Sequence, residues 1–186
     1  MKNIKVLALL LSACLCFTAC GNKQETPSTD AAQTQSSAET AGDVQSSKEA
    51  EFACAYEGIE IRVGHLMSEY LEALGEPMSY FEAASCAFDG LDKVYTYNDF
   101  EITTYPVEDK DYVGSILFKS DMVETKEGVA LFATKADMIA AYGENFVDEN
   151  GVLIYYFDGN EKNGRLCFIL SGDEVVSIEY QAPAFE

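Results

Sequence analysis

The chain predicts an α+β domain built from two tandem strand–helix–meander repeats, with antiparallel sheet packed against short helices. Three observations predict it. Two helical stripes each end on a glycine, each is followed by three short runs that alternate apolar and polar residues, and turn-forming residues separate those runs.

The first unit, about residues 57–120, opens with Glu57-Gly58-Ile59 and alternates through Ile61 and Val63. Leu66, Met67, Tyr70, Leu71 and Leu74 then share a helical stripe, Gly75 closes it, and Pro77 lies just beyond. Val94–Asn98, Phe100–Tyr105 and Val113–Phe118 read as strands, with Asn98-Asp99 turning between the first pair. The second unit, about residues 127–182, opens with Glu127-Gly128-Val129 and alternates through Leu131. Thr134 and Asp137 have the spacing of a capping box, Met138, Ile139 and Tyr142 form the stripe, and Gly143 ends it. Val152–Phe157, Arg165–Leu170 and Val175–Tyr180 follow, with turns at Asp158-Gly159-Asn160 through Gly164 and at Gly172-Asp173. Alternation predicts that Leu166, Phe168, Leu170, Val176, Ile178 and Tyr180 face the helix. It turns Arg165, Cys167, Ile169, Ser177 and Glu179 the other way. Two unrelated halves that share common patterns remain the alternative to a true repeat.

Ahead of this domain, residues 52–186, the sequence carries an export address. Met1–Lys5 is basic, Val6–Phe17 is almost wholly apolar, and Thr18-Ala19 precede Cys20. As a helix, Val6–Ala19 would extend roughly 21 Å, short of the ~30 Å hydrocarbon core. It therefore reads as a signal segment, residues 1–19, rather than a permanent span. Asn22–Ala50 is dominated by Ser, Thr, Gln, Ala and acids and has no aromatic residue, so it cannot bury enough apolar surface to offset chain entropy. Residues 20–51 are expected to act as a disordered linker, with the coil of about 29 residues spanning roughly 30 Å.

Phe17-Thr18-Ala19-Cys20-Gly21 resembles the lipobox of bacterial lipoproteins. That resemblance implies a diacylglycerol on Cys20, cleavage before it, and attachment to the extracytoplasmic face of the cell membrane. Leu11-Ser12-Ala13-Cys14 is a rival match with a shorter apolar run, and an ordinary secretory signal is the alternative to both. The strand–helix–meander layout over residues 57–182 resembles the tandem repeats of β-lactamase inhibitory protein, and more loosely small lipoproteins of outer-membrane assembly. It also resembles uncharacterised lipoproteins of anaerobic gut Gram-positive bacteria, through Ser85-Cys86-Ala87-Phe88-Asp89-Gly90, Tyr95-Thr96-Tyr97, Phe100–Tyr105 and Glu127-Gly128. The inhibitor family implies a sheet that grips a partner protein. No contact residue carries over, because its motifs are weak and this chain has no Trp.

A net charge of −20 argues against nucleic acid, whose phosphates need Lys and Arg, and against an electrostatic grip on anionic lipid. Removing Lys2 and Lys5 with the signal would take −20 to −22. Solubility at a crowded, negatively charged cell surface is the plain reading of such acidity, with weak divalent-cation binding or attraction of a basic partner as the alternative. Cys54, Cys86 and Cys167 follow the signal. Cys54-Ala55-Tyr56-Glu57-Gly58 echoes Cys86-Ala87-Phe88-Asp89-Gly90, which makes Cys54–Cys86 a candidate disulfide between neighbouring segments. It would close a loop of about 32 residues and stabilise by ~3–4 kcal/mol. Two buried free thiols, or pairing with Cys167, are the alternatives.

No cofactor, metal site or catalytic residue emerges. The single His65 is the one candidate base for a Ser or Cys nucleophile, and at the edge of the first helix it reads as packing or capping. Cys-x-x-Cys, Gly-x-Ser-x-Gly and a phosphate loop are all missing. Asp109-Lys110-Asp111 and Asp158–Gly164 lack the ligand pattern of a calcium loop. On the strand 100–105, Glu101, Thr103 and Tyr105 lie opposite Phe100 and Ile102 and form the candidate binding surface, for a protein or glycan partner. The sequence therefore favours a non-enzymatic binding or inhibitory lipoprotein. An envelope-assembly scaffold and a cell-wall glycan hydrolase with an unrecognised carboxylate pair stay open as alternatives.

Overall fold

The structure, a computed structural model, describes residues 52–183. The signal segment, Cys20 and most of the Ser/Thr-rich stretch lie outside the described residues.

Strands β1 (Cys54–Tyr56) and β2 (Ile59–Ile61) form a hairpin around Glu57-Gly58. The predicted first helix is broken into a 3-10 turn, Met67–Glu69, and one turn of α-helix, α1 (Leu71–Leu74). Met67 and Tyr70 are buried while Leu71 is exposed, so the apolar stripe buries only its first half. An antiparallel meander follows: β3 (Ser79–Ala84), β4 (Leu91–Thr96), β5 (Phe100–Val107) and β6 (Lys110–Phe118). After β7 (Glu124–Thr125), helix α2 (Lys135–Tyr142) starts with the expected capping box: Asp137 N–H donates to Thr134 Oγ1 at 3.1 Å, and Thr134 N–H donates to the Asp137 carboxylate at 3.0 Å. A second meander comprises β8 (Val147–Glu149), β9 (Val152–Tyr156), β10 (Arg165–Ser171) and β11 (Glu174–Gln181).

The fold is thus α+β but mainly β. The expected three-strand meanders each gain a fourth, outermost strand, β3 and β8, which the sequence reading missed. All eight strands join one antiparallel sheet in the order β3-β4-β5-β6-β11-β10-β9-β8, and β2-β1-β7 form a second, small sheet. The seam is β6 against β11, where Ser115, Ile116 and Leu117 pair with Gln181, Tyr180 and Glu179.

One face of the large sheet carries the core. Phe100 and Ile102 of β5, Val113 and Ile116 of β6, Leu166 and Phe168 of β10, and Val175, Ile178 and Tyr180 of β11 join one cluster with Ile61, Met67 and Met138. Tyr180, wholly buried, donates its hydroxyl to Ala53 O at 2.9 Å and so ties the small sheet onto the large one. Both helices end on glycines whose φ of 70° and 81° suit a residue without Cβ. The Tyr97 and Tyr155 hydroxyls donate to the carbonyls of these two glycines, Gly75 and Gly143, at 3.5 and 2.7 Å.

Alternation misplaces one residue. Val175 is buried and Val176 is exposed, the reverse of the expectation for Val176, because a bulge shifts the pairing between Ile169/Ser177 and Leu170/Val175. The same irregularity occurs between Thr103/Ser115 and Thr104/Val113, where Gly114 is the extra residue. Each bulged strand is also clasped by the segment before the helix. Val113 exchanges backbone hydrogen bonds with Gly64 and His65, and Val175 with Phe132 and Ala133.

The candidate Cys54–Cys86 disulfide does not form; all three described cysteines are free. The echo between the two segments is not structural. Cys54 sits on a strand paired with β2 and β7 and is fully buried, whereas Cys86 lies exposed in the turn between β3 and β4. Burial in apolar surroundings pushes the Cys54 thiol up to about 12 and the Cys167 thiol up to about 11.

Candidate functional site

The sheet face turned away from the helices is the candidate site. Strand pleating puts alternate residues there, and the registers show which of them line up. Phe81, Val94, Thr103 and Ser115 form one row across β3 to β6, which continues through Gln181, Arg165 and Tyr156. The adjacent row runs Thr96, Glu101, Leu117, Glu179, Cys167 and Ile154. Most residues of these rows are half-buried, Cys167 and Ile154 at the β9–β10 end are buried, and the Ser85–Gly90 turn folds onto the other end.

Glu101, Thr103 and Tyr105 all emerge on this face, as their alternation predicts, and all three are half-buried. Their surroundings differ. Thr96 Oγ1 donates to the Glu101 carboxylate at 2.9 Å, and Thr103 Oγ1 lies 2.8 Å from Ser115 Oγ. Tyr105 is held between two rings, stacked on Phe88 at 5.4 Å and on Tyr112 at 5.8 Å between centroids. Phe88 reaches it because Ser85 Oγ accepts from the backbone N–H groups of Ala87 and Phe88 and curls that turn over the sheet. Tyr105 is thus partly a support for the turn. Burial and the neighbouring Tyr112 both raise its phenol above the ordinary tyrosine value.

Two hollows indent the face. One of about 480 Å³ is bordered by Phe88, Val94, Thr103, Tyr105, Gly114 and Ser115. The other, about 270 Å³, is bordered by Val152, Ile154, Arg165, Cys167, Ile169 and Ser177. Glu179 and Gln181 border both, and so form the ridge between them. Arg165 Nε donates to Gln181 Oε1 at 2.7 Å, which holds the amide across the strand pair. Ser115, Glu179 and Gln181 are the site residues that strand-by-strand reading missed. The outward alternation of Glu179 was already a signal, but only the β6–β11 seam sets Glu179 and Gln181 against Leu117 and Ser115 and so near Thr103.

No family model matches the chain, and no curated protein or solved structure matches it. The chemistry of the site must therefore be read from its own groups.

His65, half-exposed, lies 3.8 Å from the Glu69 carboxylate, and its backbone carbonyl accepts from Val113, so it neither caps the helix nor approaches the open face. Among the described residues no three His, Cys, Asp or Glu side chains converge as a metal site requires. Asp111 of the Asp109-Lys110-Asp111 segment is engaged by Lys93 at 2.6 Å, on the other side of the sheet. Asn160, in the Asp158–Gly164 segment, caps a 3-10 turn by accepting from Lys162 N–H.

Proposed function

We propose that this chain is an extracytoplasmic lipoprotein, anchored through Cys20, whose domain binds a partner protein or glycan through the open sheet face without catalysing a reaction. The observation that carries the binding part is the pair of hollows on the sheet face turned away from the helices, separated by the Glu179–Gln181 ridge. A sheet with one buried face ordinarily presents a solvated, featureless opposite face. Here that face mixes ring surface from Tyr105 and Tyr112, hydroxyls from Thr103 and Ser115, and carboxylates from Glu101 and Glu179. Such a mixture suits recognition because aromatic rings bring contact area at small entropic loss while hydroxyls and carboxylates set direction.

The proposal includes duplication: the two halves are copies of one helix–meander unit, as the likeness to tandem-repeat inhibitory proteins implies. Matching particulars support it. The helix-end glycines, the tyrosine hydroxyls that reach them, the bulges and the backbone clasps on Val113 and Val175 occur in the same order in both halves. The two hollows flank the seam in equivalent positions, which fits a partner that spans both. The anchor rests on the signal and lipobox pattern of the sequence alone.

Site-specific photocrosslinking on the producing cell tests the binding reading. A photoreactive residue at Thr103 or Ser177 is expected to capture a discrete partner, while one at Ala140, exposed on α2, does not. Equal capture from Ala140, or none from either face position, would overturn it. Cys20→Ser should separately release the protein into the medium; retention on the membrane would remove the anchor.

A further inference from the structure

The two edges of the large sheet are built differently. β8 has three residues, Val147–Glu149, and two of them are acids. Asp148 Oδ1 accepts from Gly151 N–H at 2.9 Å and turns the chain at once into β9. β3 is twice as long. Both edge strands begin four residues after a helix-end glycine, Gly75 or Gly143, but β3 runs on through Glu82, Ala83 and Ala84.

Of the usual protections of a free edge, β3 carries a single charge, Glu82. Its six residues pair with β4 without a bulge, and its sequence Ser-Tyr-Phe-Glu-Ala-Ala has no Lys and no Pro. Every residue of it is exposed, including Tyr80 at 47% and Phe81 at 62%, and Met78 just ahead is 70% exposed. Among the described residues β4 alone pairs with it, on one side, so its outer side presents unpaired backbone N–H and C=O groups. Its two faces also differ. Ser79, Phe81 and Ala83 share the open face with Val94, whereas Tyr80 and Glu82 lie on the other side with Tyr95 and Lys93. Acids outnumber bases on the two strands: Glu82 accepts from the Tyr80 hydroxyl, Asp92 pairs with Ala83 on the open face, and Lys93, the one base on β3 and β4, lies opposite Glu82 and is engaged by Asp111.

We infer that β3 is a docking edge for an extended segment of a partner protein, which joins the sheet as a ninth strand. The backbone edge selects an extended chain, since only a strand can match a row of alternating donors and acceptors. The faces select its side chains: apolar ones on the side of Phe81 and Ala83, basic ones on the side of Glu82. A second copy of this chain fits worse, because it would bring another Glu82 and another net charge of −20 to the same edge. This edge is distinct from the hollows of the open face, and either site can operate without the other.

The test uses the full chain and capped nine-residue peptides, read by calorimetry and by amide shifts of Ser79–Ala84. An alternating Val/Lys peptide is expected to bind one to one, and a Val/Glu peptide is not. Two N-methylated forms of the Val/Lys peptide, blocked on its odd or on its even amides, are expected to differ, with only one losing affinity by about tenfold or more. Phe81→Lys and the milder Phe81→Ser, both at a largely exposed position, should weaken binding while circular dichroism stays unchanged. Equal binding by both N-methylated forms would reduce the effect to charge adsorption and overturn the inference. So would undiminished binding by both Phe81 variants, or no binding at all. A Phe81-dependent dimer of the free chain would overturn it in favour of a second copy.

Discussion

Leu117 and Glu179 are direct partners across the β6–β11 seam, and each lies four residues past the buried valine, Val113 or Val175, that opens its bulge. Both are half-buried on the open face, while their neighbours Ile116 and Ile178 are wholly buried beneath. The seam therefore separates two roles by a single residue step. Glu179→Leu should leave unfolding free energy within about 0.5 kcal/mol of the parent. Ile178→Ala should destabilise by about 2–5 kcal/mol through lost contacts and a residual cavity. Urea unfolding of both variants checks this, and a large loss from Glu179→Leu would place the core on the wrong side of the sheet.

The three described thiols should react in a fixed order. Cys86 is exposed, whereas Cys54 and Cys167 are buried and hold their protons to about 12 and about 11. A maleimide at neutral pH is expected to modify Cys86 rapidly and the other two only on unfolding, as the thiolate is the reacting form. Peptide mass mapping reads the order. Dithiothreitol should leave Tm unchanged, and a fall would reveal a disulfide that this fold does not contain.

Stability should decline at alkaline pH. Burial raises the folded-state values of Cys54, Tyr155 and Tyr180, the first two to about 12. Below the ordinary values of 9.0 for the thiol and 10.0 for the phenol, both states keep these protons and nothing is lost. Above them the unfolded chain releases protons that the folded chain retains, so unfolding gains. The contribution is present below about pH 9 and disappears as pH rises through about 12. Urea midpoints measured between pH 8 and 11 should fall steadily on the alkaline side; a flat profile would contradict the burial of these groups.

Gly164 ends the turn between β9 and β10 at φ 102°, and a Cβ there would lie 2.8 Å from the Gln181 carbonyl. Backbone strain and that close approach act together. Gly164→Ala should destabilise by more than about 1 kcal/mol, and Gly159→Ala, with open space around it, by less. Thermal melts of the pair distinguish the contact from the φ requirement that both glycines share.

Local signals were readable wherever one residue pattern had one physical cause. Thr134 with Asp137, Gly75 and Gly143, and the turn at Asn98-Asp99 each act within a few residues, and each lies where the pattern placed it. The face of Glu101, Thr103 and Tyr105 was readable too, because strand alternation has period two. β3 escaped notice for the converse reason: both its faces are exposed, so no apolar alternation marks it. Val176 was assigned to the wrong side because a bulge inserts one residue and reverses the alternation beyond it. Cys54 and Cys86 share a local motif, yet the same five-residue pattern became a buried strand in one place and an exposed turn in the other.

The amino-acid sequence by itself determined the α+β content, the capped and glycine-ended helix of the second half, most strands of both meanders, and the acidic surface. These follow from short-range sterics, from hydrophobic periodicity and from composition. Tertiary structure alone decided the β6–β11 seam, the ridge of Glu179 and Gln181 beside Thr103, the cover of Phe88 on Tyr105 and the bare edge at Ser79–Ala84. Strand pairing across the chain depends on which edges meet once two half-sheets bury their apolar faces on a shared core, and no local pattern encodes that choice.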